Sequence, residues 1–320
     1  MKKKLIIIGS IILALAILAG GAYAFIVFTN PWHVNDLTGF SSEHPASGDI
    51  APMRLNAAGE FVVLQFTDTH LATDRGPDAR TLEMIEYWTA RVEPDLVVIT
   101  GDMLEGRAAR RLLRVDRIAA LRGLASIFQR LNQPWTFTPG NNDHEFMGSA
   151  RDVAALLLFH CNYILLANQA GLPGAVYFTL PLYCEDDELA HQLIFLDSLG
   201  RYDIMQPQQA AWLREVLRAD TQASVFFHYN TPMFYEAGFH FRGREGDTAI
   251  DEVVRAADNV GIVSVGHAHP DQNFLELLDG TLLHIVRASG YRRGDRNPGA
   301  AIITIRPHAE QLYAIDEIIF

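Results

Sequence analysis

Cysteine is nearly absent from this chain: its 320 residues include two, Cys161 and Cys184. That count excludes a disulfide framework, and neither cysteine stands at a metal-ligand spacing. One bridge between them and two buried thiols are both compatible with the sequence. Positive charge is in deficit as well. With 26 Lys and Arg against 38 Asp and Glu, the net charge is −12. Nucleic-acid binding, which neutralises phosphates with basic surface, is therefore not expected, and the acidic balance serves solubility. No internal repeat and no low-complexity tract occurs, which excludes solenoid arrays.

One long run lacks charge altogether. Leu5–Phe28 follows Lys2, Lys3 and Lys4, and it exceeds the about 20 apolar residues that span a bilayer core. Ala22-Tyr23-Ala24 is a small-residue site at which a secretory signal could be cleaved. The run continues through Phe25–Phe28, beyond the about 7–15 residues of a signal core, which favours an uncleaved anchor. The lysines would stay cytoplasmic and place the remainder outside. Residues 1–28 are thus expected to form a signal anchor, a transmembrane helix, or alternatively a signal peptide with secretion after cleavage near Ala24. No cysteine adjoins the small residues at 19–22, so lipid attachment there is not indicated.

Residues 29–59 contain Pro31, Gly39, Pro45, Gly48, Pro52 and Gly59 without periodicity, the composition of a linker or an arm. Regular signals begin at Phe61. Phe61–Phe66 reads as a buried strand, Ala79–Val92 as a helix stopped by Pro94, and Leu96–Thr100 as a second strand. Residues 108–131 carry a helical face with Leu112, Val115, Ile118, Leu121 and Phe128, and Trp135–Thr138 reads as a third strand. This alternation predicts a parallel sheet with crossover helices. Further strands are expected at Tyr163–Ala167, Ala175–Leu180, Gln192–Asp197, Ala223–His228, Gly261–Val265, Leu282–Val286, Ala300–Ile305 and Gln311–Ile319. One helix interrupts them, opened by Pro207 and faced by Trp212, Leu213, Val216 and Leu217. Many strands with few helices predict a second sheet packed on the first. The expected fold class is α/β, a two-sheet β-sandwich flanked by helices, forming one domain over 60–320.

Five short islands stand where strands should end: Asp68-Thr69-His70, Gly101-Asp102, Gly140-Asn141-Asn142-Asp143, His228, and Gly266-His267-Ala268-His269. Ligands gather beyond the carboxyl ends of such strands. Asp68, His70, Asp102, Asn141, His228, His267 and His269 offer carboxylate, imidazole and amide donors, enough for two metal ions. A lone Asp-x-His or Gly-Asp is uninformative, and a single His228 or His267 would read as a hydrogen-bonded core histidine. The ordered set is what carries the reading.

That order resembles the calcineurin-like metallophosphoesterase family, whose pattern runs D-x-H, G-D, G-N-H-D/E, H, G-H-x-H. The resemblance spans 68–269. It implies that Asp68, His70, Asp102 and His269 hold one metal, that Asp102, Asn141, His228 and His267 hold the other, and that Asp102 bridges them. It further implies hydrolysis of phosphoric esters or pyrophosphates by a metal-bridging hydroxide. Mn²⁺, Zn²⁺ or iron suits the mixed donors, as two divalent ions or a mixed-valence pair. Gly101-Asp102 is followed by Met103-Leu104-Glu105, without the tyrosine ligand of the purple acid phosphatases. Met205–Leu213, and Gly290-Tyr291 followed by Gly299-Ala300, resemble the purple-acid-phosphatase-29-like branch.

One position departs from the pattern. Asn142 stands where the family carries a histidine thought to protonate the leaving oxygen with help from the next acidic residue, here Asp143. An amide hydrogen-bonds but is no acid near neutral pH. His144 could compensate if residues 142–144 were extended and pointed the same way; otherwise it is a surface loop residue. Asn142, Asp143 and His144 are therefore the candidate catalytic residues. Three readings follow: an esterase for substrates with good leaving groups, an enzyme using His144 or a substrate proton, and a metal-loaded binding module without turnover.

With so acidic a chain, a phosphate must be drawn in by metals or by local arginines. Arg242 and Arg244, beside His240, are the candidate substrate contacts, although an internal network with Glu245 and Asp247 would also account for them. Arg287, Arg292, Arg293 and Arg296 form a second basic stretch with the same two readings. Phe234, Tyr235, Phe239 and Phe241 would line an apolar approach or pack in the core. An anchored domain would meet lipid-linked or wall-linked phosphate esters and pyrophosphates at the membrane face.

Overall fold

Twelve strands account for the core of the described chain: β1 (Met53–Arg54), β2 (Phe61–Phe66), β3 (Leu96–Thr100), β4 (Trp135–Thr138), β5 (Tyr177–Tyr183), β6 (Leu189–Leu196), β7 (Ala223–Phe226), β8 (Val260–Val265), β9 (Phe274–Leu278), β10 (Thr281–Ile285), β11 (Gly299–Ile305) and β12 (Tyr313–Ile319). They come from a computed structural model that describes residues 51–320, apart from 74, 107–113, 146–149, 170, 241–247 and 295–296. The expected membrane segment 1–28, most of the arm 29–59, and Phe241, Arg242 and Arg244 lie outside the described residues. Among the described residues no helix is long and apolar enough to cross a membrane.

The strands form two mixed sheets flanked by helices, an α/β architecture. One sheet has the order β1-β5-β6-β7-β8-β10-β9 and the other β12-β11-β2-β3-β4. Within them β2, β3 and β4 run parallel, as do β6, β7, β8 and β10. Both faces of the central strands are buried, which is why they read as continuous apolar runs instead of alternating ones. On the seven-stranded sheet, Val225, Phe227, Val263, Val265, Leu283 and Ile285 pack under Trp212, Leu213, Val253 and Val254. Those four come from the helices Pro207–Val216 and Ala249–Ala256. The alternate positions turn towards the other sheet: Ser264 Oγ donates to Gln65 Oε1 at 2.6 Å, and Ser224 Oγ lies 3.1 Å from Tyr313 Oη. Helices Pro77–Val92, Arg114–Leu131 and Ala150–His160 accompany the five-stranded sheet.

Several expectations are corrected. Tyr163–Ala167 contributes one bridge, Ile164 to Trp135, because it runs past the edge strand β4 without continuing the ladder. Helices Ala150–His160 and Ala249–Ala256 were not anticipated, nor was edge strand β9, whose residues are largely exposed and lack a buried pattern. Residues Met53–Arg54 pair with β5. Cys161 and Cys184 are both free: Cys161 accepts from Trp135 Nε1 at 3.3 Å, and Cys184 sits 3.1 Å from His308 Nε2.

Two histidines lie in the core between the sheets. His191 Nε2 is 2.8 Å from Ser224 Oγ, and His284 Nδ1 is 2.8 Å from Ser264 Oγ. Burial pushes both down to about 3, so each is neutral when folded. The unfolded chain takes up those protons first, near the ordinary histidine value of about 6.5. Stability must therefore fall as pH drops below that value, by about 1.4 kcal/mol per pH unit for each buried ring, down towards pH 3. Urea unfolding of His284→Gln should show an acid-side slope shallower by about that amount than the unaltered chain. Equal slopes would contradict the neutral buried ring.

Candidate metal centre

Five of the seven ligand-type side chains leave their strands through a backbone state that side chains seldom adopt. Asp68, His70, Asp102, His267 and His269 have φ of 51°, 46°, 50°, 66° and 50°. Non-glycine residues are uncommon there, with Asp and His among the most tolerant. These left-handed kinks end β2, β3 and β8 and turn the side chains off the sheet edge into one cavity. Backbone bonds hold the loops together: Asp68 N to Gly101 O at 3.0 Å, His70 N to Asp102 O at 2.9 Å, and Gly266 N to His228 O at 3.0 Å. Gly101, at φ 85°, leaves no room for a side chain, since a Cβ would lie 2.5 Å from His228 Nδ1. Gly266 is equally confined, between Thr67 Oγ1, Asp68 Oδ2 and the Thr100 carbonyl.

Two ligand groups result. Asp68, His70 and His269 form one; Asp102, His228 and His267 form the other, and within each the donor atoms lie within 4.8 Å of one another. In the first, Asp68 Oδ1 is 3.1 Å from His269 Nε2 and 3.5 Å from His70 Nε2, and the two ring nitrogens are 3.1 Å apart. In the second, His228 Nε2 is 3.5 Å from Asp102 Oδ1 and 3.2 Å from His267 Nδ1. Two nitrogens bound to one ion at about 2.0–2.1 Å, at right to tetrahedral angles, lie about 2.8–3.4 Å apart. Both pairs fall in that interval.

Asp102 faces both groups. Its Oδ1 looks to His228, and its Oδ2 lies 3.9 Å from His70 Nε2. Asn142 fixes this carboxylate from behind, donating its backbone N–H to Oδ1 at 2.7 Å and its side-chain amide to Oδ2. Asp68 is held likewise: Thr67 Oγ1 and His267 N–H each donate to Oδ2 at 2.8 Å, leaving Oδ1 for the ligand group. His228 Nδ1 is 2.8 Å from the Thr100 carbonyl, which can only accept, so Nδ1 carries the proton. Its Nε2 faces Asp102 and His267, 3.5 Å from Asp102 Oδ1 and 3.2 Å from His267 Nδ1. Carboxylate oxygens and imidazole nitrogens converging at these distances are a donor set that a cation satisfies.

The charges agree with this. Burial pushes Asp68 up, but the nearby His269 charge and hydrogen bonds from His269 and His70 hold it well below the usual carboxylate range. Asp102, also raised by burial, is brought net below its ordinary value by His228 and His70. Burial and the neighbouring His228 push His267 down to about 3. Ionised carboxylates and a neutral ring at His267 are states that bind metals.

Asn141 borders the second group. Its Oδ1 accepts from Tyr229 Oη at 3.0 Å, and the Tyr229 ring lies 4.1 Å from that of His267. Residues 141–144 form a helical turn, not an extended segment. His144 therefore does not point with Asn142; its Nε2 is 2.9 Å from the buried Asp197 Oδ1. It lines a separate cavity of about 400 Å³ with Arg151, Leu199, Asp203 and Gln206. Burial lowers His144, and the Asp197 charge and hydrogen bond more than reverse this. Asp143 accepts from the backbone of Gly140 at 2.9 Å and Leu104 at 3.1 Å, locking the Asp102 and Asn141 loops together. Burial and the Asp102 charge raise it to about 7. Phe234 is fully buried and Phe239, partly buried, packs against the same core, as their core-packing reading has it.

Sequence reasoning missed the supports Thr67, Tyr229 and Glu105. Tyr229 adjoins His228 and Glu105 follows Asp102 by three, but neither has a spacing that reveals its long-range partner.

A family profile described as calcineurin-like phosphoesterase matches residues 61–271. A dimetal phosphatase from Danio rerio superposes with a TM-score of 0.57 at 14% identity, over 81% of this chain and 99% of that one. GAP50, the anchor in the inner membrane complex of Plasmodium, gives 0.53 at 11% identity, over 82% and 89%. At these identities the likeness is one of fold. No curated protein matches the chain by sequence.

Alanine at 266 should displace Thr67 and Asp68 and abolish binding at the first group. Metal analysis of Gly266→Ala should find about one equivalent or fewer against about two in the unaltered chain, and undiminished content would refute this account of the cavity.

Proposed function

The chain belongs to the calcineurin-like phosphoesterase family, and from that premise we propose that it is a dinuclear-metal-dependent phosphoric ester hydrolase. The observation that carries the reading is Asp102, whose two oxygens face two separate ligand groups, Oδ1 towards His228 Nε2 and Oδ2 towards His70 Nε2. Asp68, His70, Asp102 and His269 would hold one ion; Asp102, Asn141, His228 and His267 would hold the other. When bound, such a pair supplies Lewis acidity towards a phosphoryl group and a nucleophile from water at neutral pH.

The protein's own residues define the rest. Asp143 fixes two ligand loops through backbone N–H groups. Thr67 and the His267 N–H orient Asp68, and the Thr100 carbonyl sets the His228 tautomer. Asn142 clamps Asp102, and its own carbonyl oxygen is occupied by Gly106 N–H at 3.1 Å. With no acid at 142, and His144 held by Asp197, negative charge on the departing oxygen must be tolerated by the leaving group itself. The reading accordingly favours activated diesters, aryl esters and pyrophosphates. Met205–Leu213 and Gly290-Tyr291 support the purple-acid-phosphatase-29-like branch. Lys2–Lys4 and the Leu5–Phe28 run support a membrane-anchored enzyme acting outside the cytoplasm, where lipid-linked or wall-linked phosphates are the accessible esters.

Asn142 also favours a second reading, a metal-loaded binding module without turnover. The two are separated by hydrolysis of an aryl phosphodiester series with Mn²⁺, using Asp102→Asn as the control. The hydrolase should exceed the control and slow steeply as the leaving-group pKa rises. Asn142→His should flatten that dependence and accelerate the poorest leaving groups by roughly tenfold or more. A wild-type rate no higher than that of Asp102→Asn leaves the binding module as the correct description.

A further inference from the structure

The basic stretch after β10 delivers one guanidinium to the edge of the metal centre. Arg293 Nε and Nη2 each lie 3.1 Å from the Glu105 carboxylate, and Nη2 is also 3.3 Å from Asn142 Oδ1. Glu105 is 2% exposed and follows Asp102 on the same loop. Nη1 makes no hydrogen bond among the described residues, and the side chain is 21% exposed. The guanidinium thus reaches Asn142, which in turn clamps Asp102, and its Nη1 group is uncommitted.

The backbone leading to Arg293 is pinned. Ser289 N–H donates to Thr67 O at 2.8 Å and Tyr291 N–H to Thr81 Oγ1 at 3.1 Å. Arg292 Nε binds the buried Asp78 at 2.7 Å, and Arg80 sits 4.0 Å over the Tyr291 ring. A side chain launched from so fixed a segment loses little freedom when it binds a ligand. The neighbouring arginines have other work: Arg292 is spent on Asp78, and Arg287 on Glu317 and the Asn297 carbonyl.

We propose that Arg293 is a phosphate-binding residue of this centre. Its Nη1 donates to a phosphoryl oxygen, supplying fixed positive charge next to the position that lacks an acid. This rests on the hydrolase reading for the substrate class, but equilibrium binding of phosphate tests it without turnover. A guanidinium suits a tetrahedral oxyanion because its donors are planar, paired and always charged. Charge supplied this way does not titrate near neutral pH, unlike that of a histidine.

The test is calorimetric binding of inorganic phosphate to the full, Mn²⁺-loaded chain, with metal content and thermal melting measured on every variant. Arg293→Met should retain its metals and bind phosphate roughly tenfold to hundredfold more weakly, the loss expected for a hydrogen bond to a charged group. Arg293→Lys should fall between. Because Arg293→Met takes a cation away from the buried Glu105, the double variant Glu105→Gln with Arg293→Met removes the carboxylate charge together with the guanidinium, and it should bind as weakly as the single one. Phosphate affinity unchanged in the double variant would overturn the proposal, as would absence of phosphate binding by the unaltered chain. Arginine-dependent phosphate binding without hydrolysis of any ester would uphold it and reject the hydrolase reading.

Discussion

The carboxylate of Asp102 is the constraint on which the rest of the centre depends. It ends a strand of the five-stranded sheet, yet one of its oxygens faces His70 from the same sheet and the other faces His228 from the opposite sheet. A shift of either sheet would separate the groups. The polar links between the sheets, Ser264 to Gln65 and Ser224 to Tyr313, hold that spacing from within the core. Gln65 donates in turn to Thr100 Oγ1 at 2.9 Å, and the Thr100 carbonyl receives His228 Nδ1. The hydrogen bonds that register the sandwich therefore also orient a ligand.

The site is built at the cost of backbone strain. Five ligand-type residues hold left-handed conformations, each costing of order 1 kcal/mol or more where no glycine relieves it. Buried, mutually bonded loops over-determine those angles. Burial has a second effect: it keeps His267 neutral, while nearby imidazoles keep Asp68 and Asp102 ionised. Geometry and protonation state converge on the same ligand set.

Asn142 changes what that ligand set can do. Instead of presenting a proton, it spends its amide on Asp102 and its carbonyl oxygen on Gly106 and Arg293. The position has become part of the scaffold that aims a carboxylate. In the hydrolase we propose, fixed charge from Arg293 and metal acidity would be the remaining means of stabilising an oxyanion, and neither transfers a proton. His144 is occupied elsewhere, paired with Asp197 at the wall of a different cavity.

By itself the sequence determined which residues end strands. Leu96–Thr100 and, but for Gln65, Phe61–Phe66 are apolar runs, Trp135–Thr138 alternates Trp and Phe with buried Thr, and each ends at a Gly-Asp, Asp-x-His or Gly-Asn step that local sterics make legible. The Ala150–His160 helix was hidden because it is apolar nearly all round, and β9 because it lies exposed at an edge. Only the tertiary structure decided that residues 141–144 coil into a turn, sending His144 to Asp197 while Asn142 turns back to Asp102. It alone joined Glu105 to Arg293, 188 positions apart. Local periodicity reports the burial of a face; the partner of a polar side chain depends on how distant loops meet, and no short-range pattern encodes that.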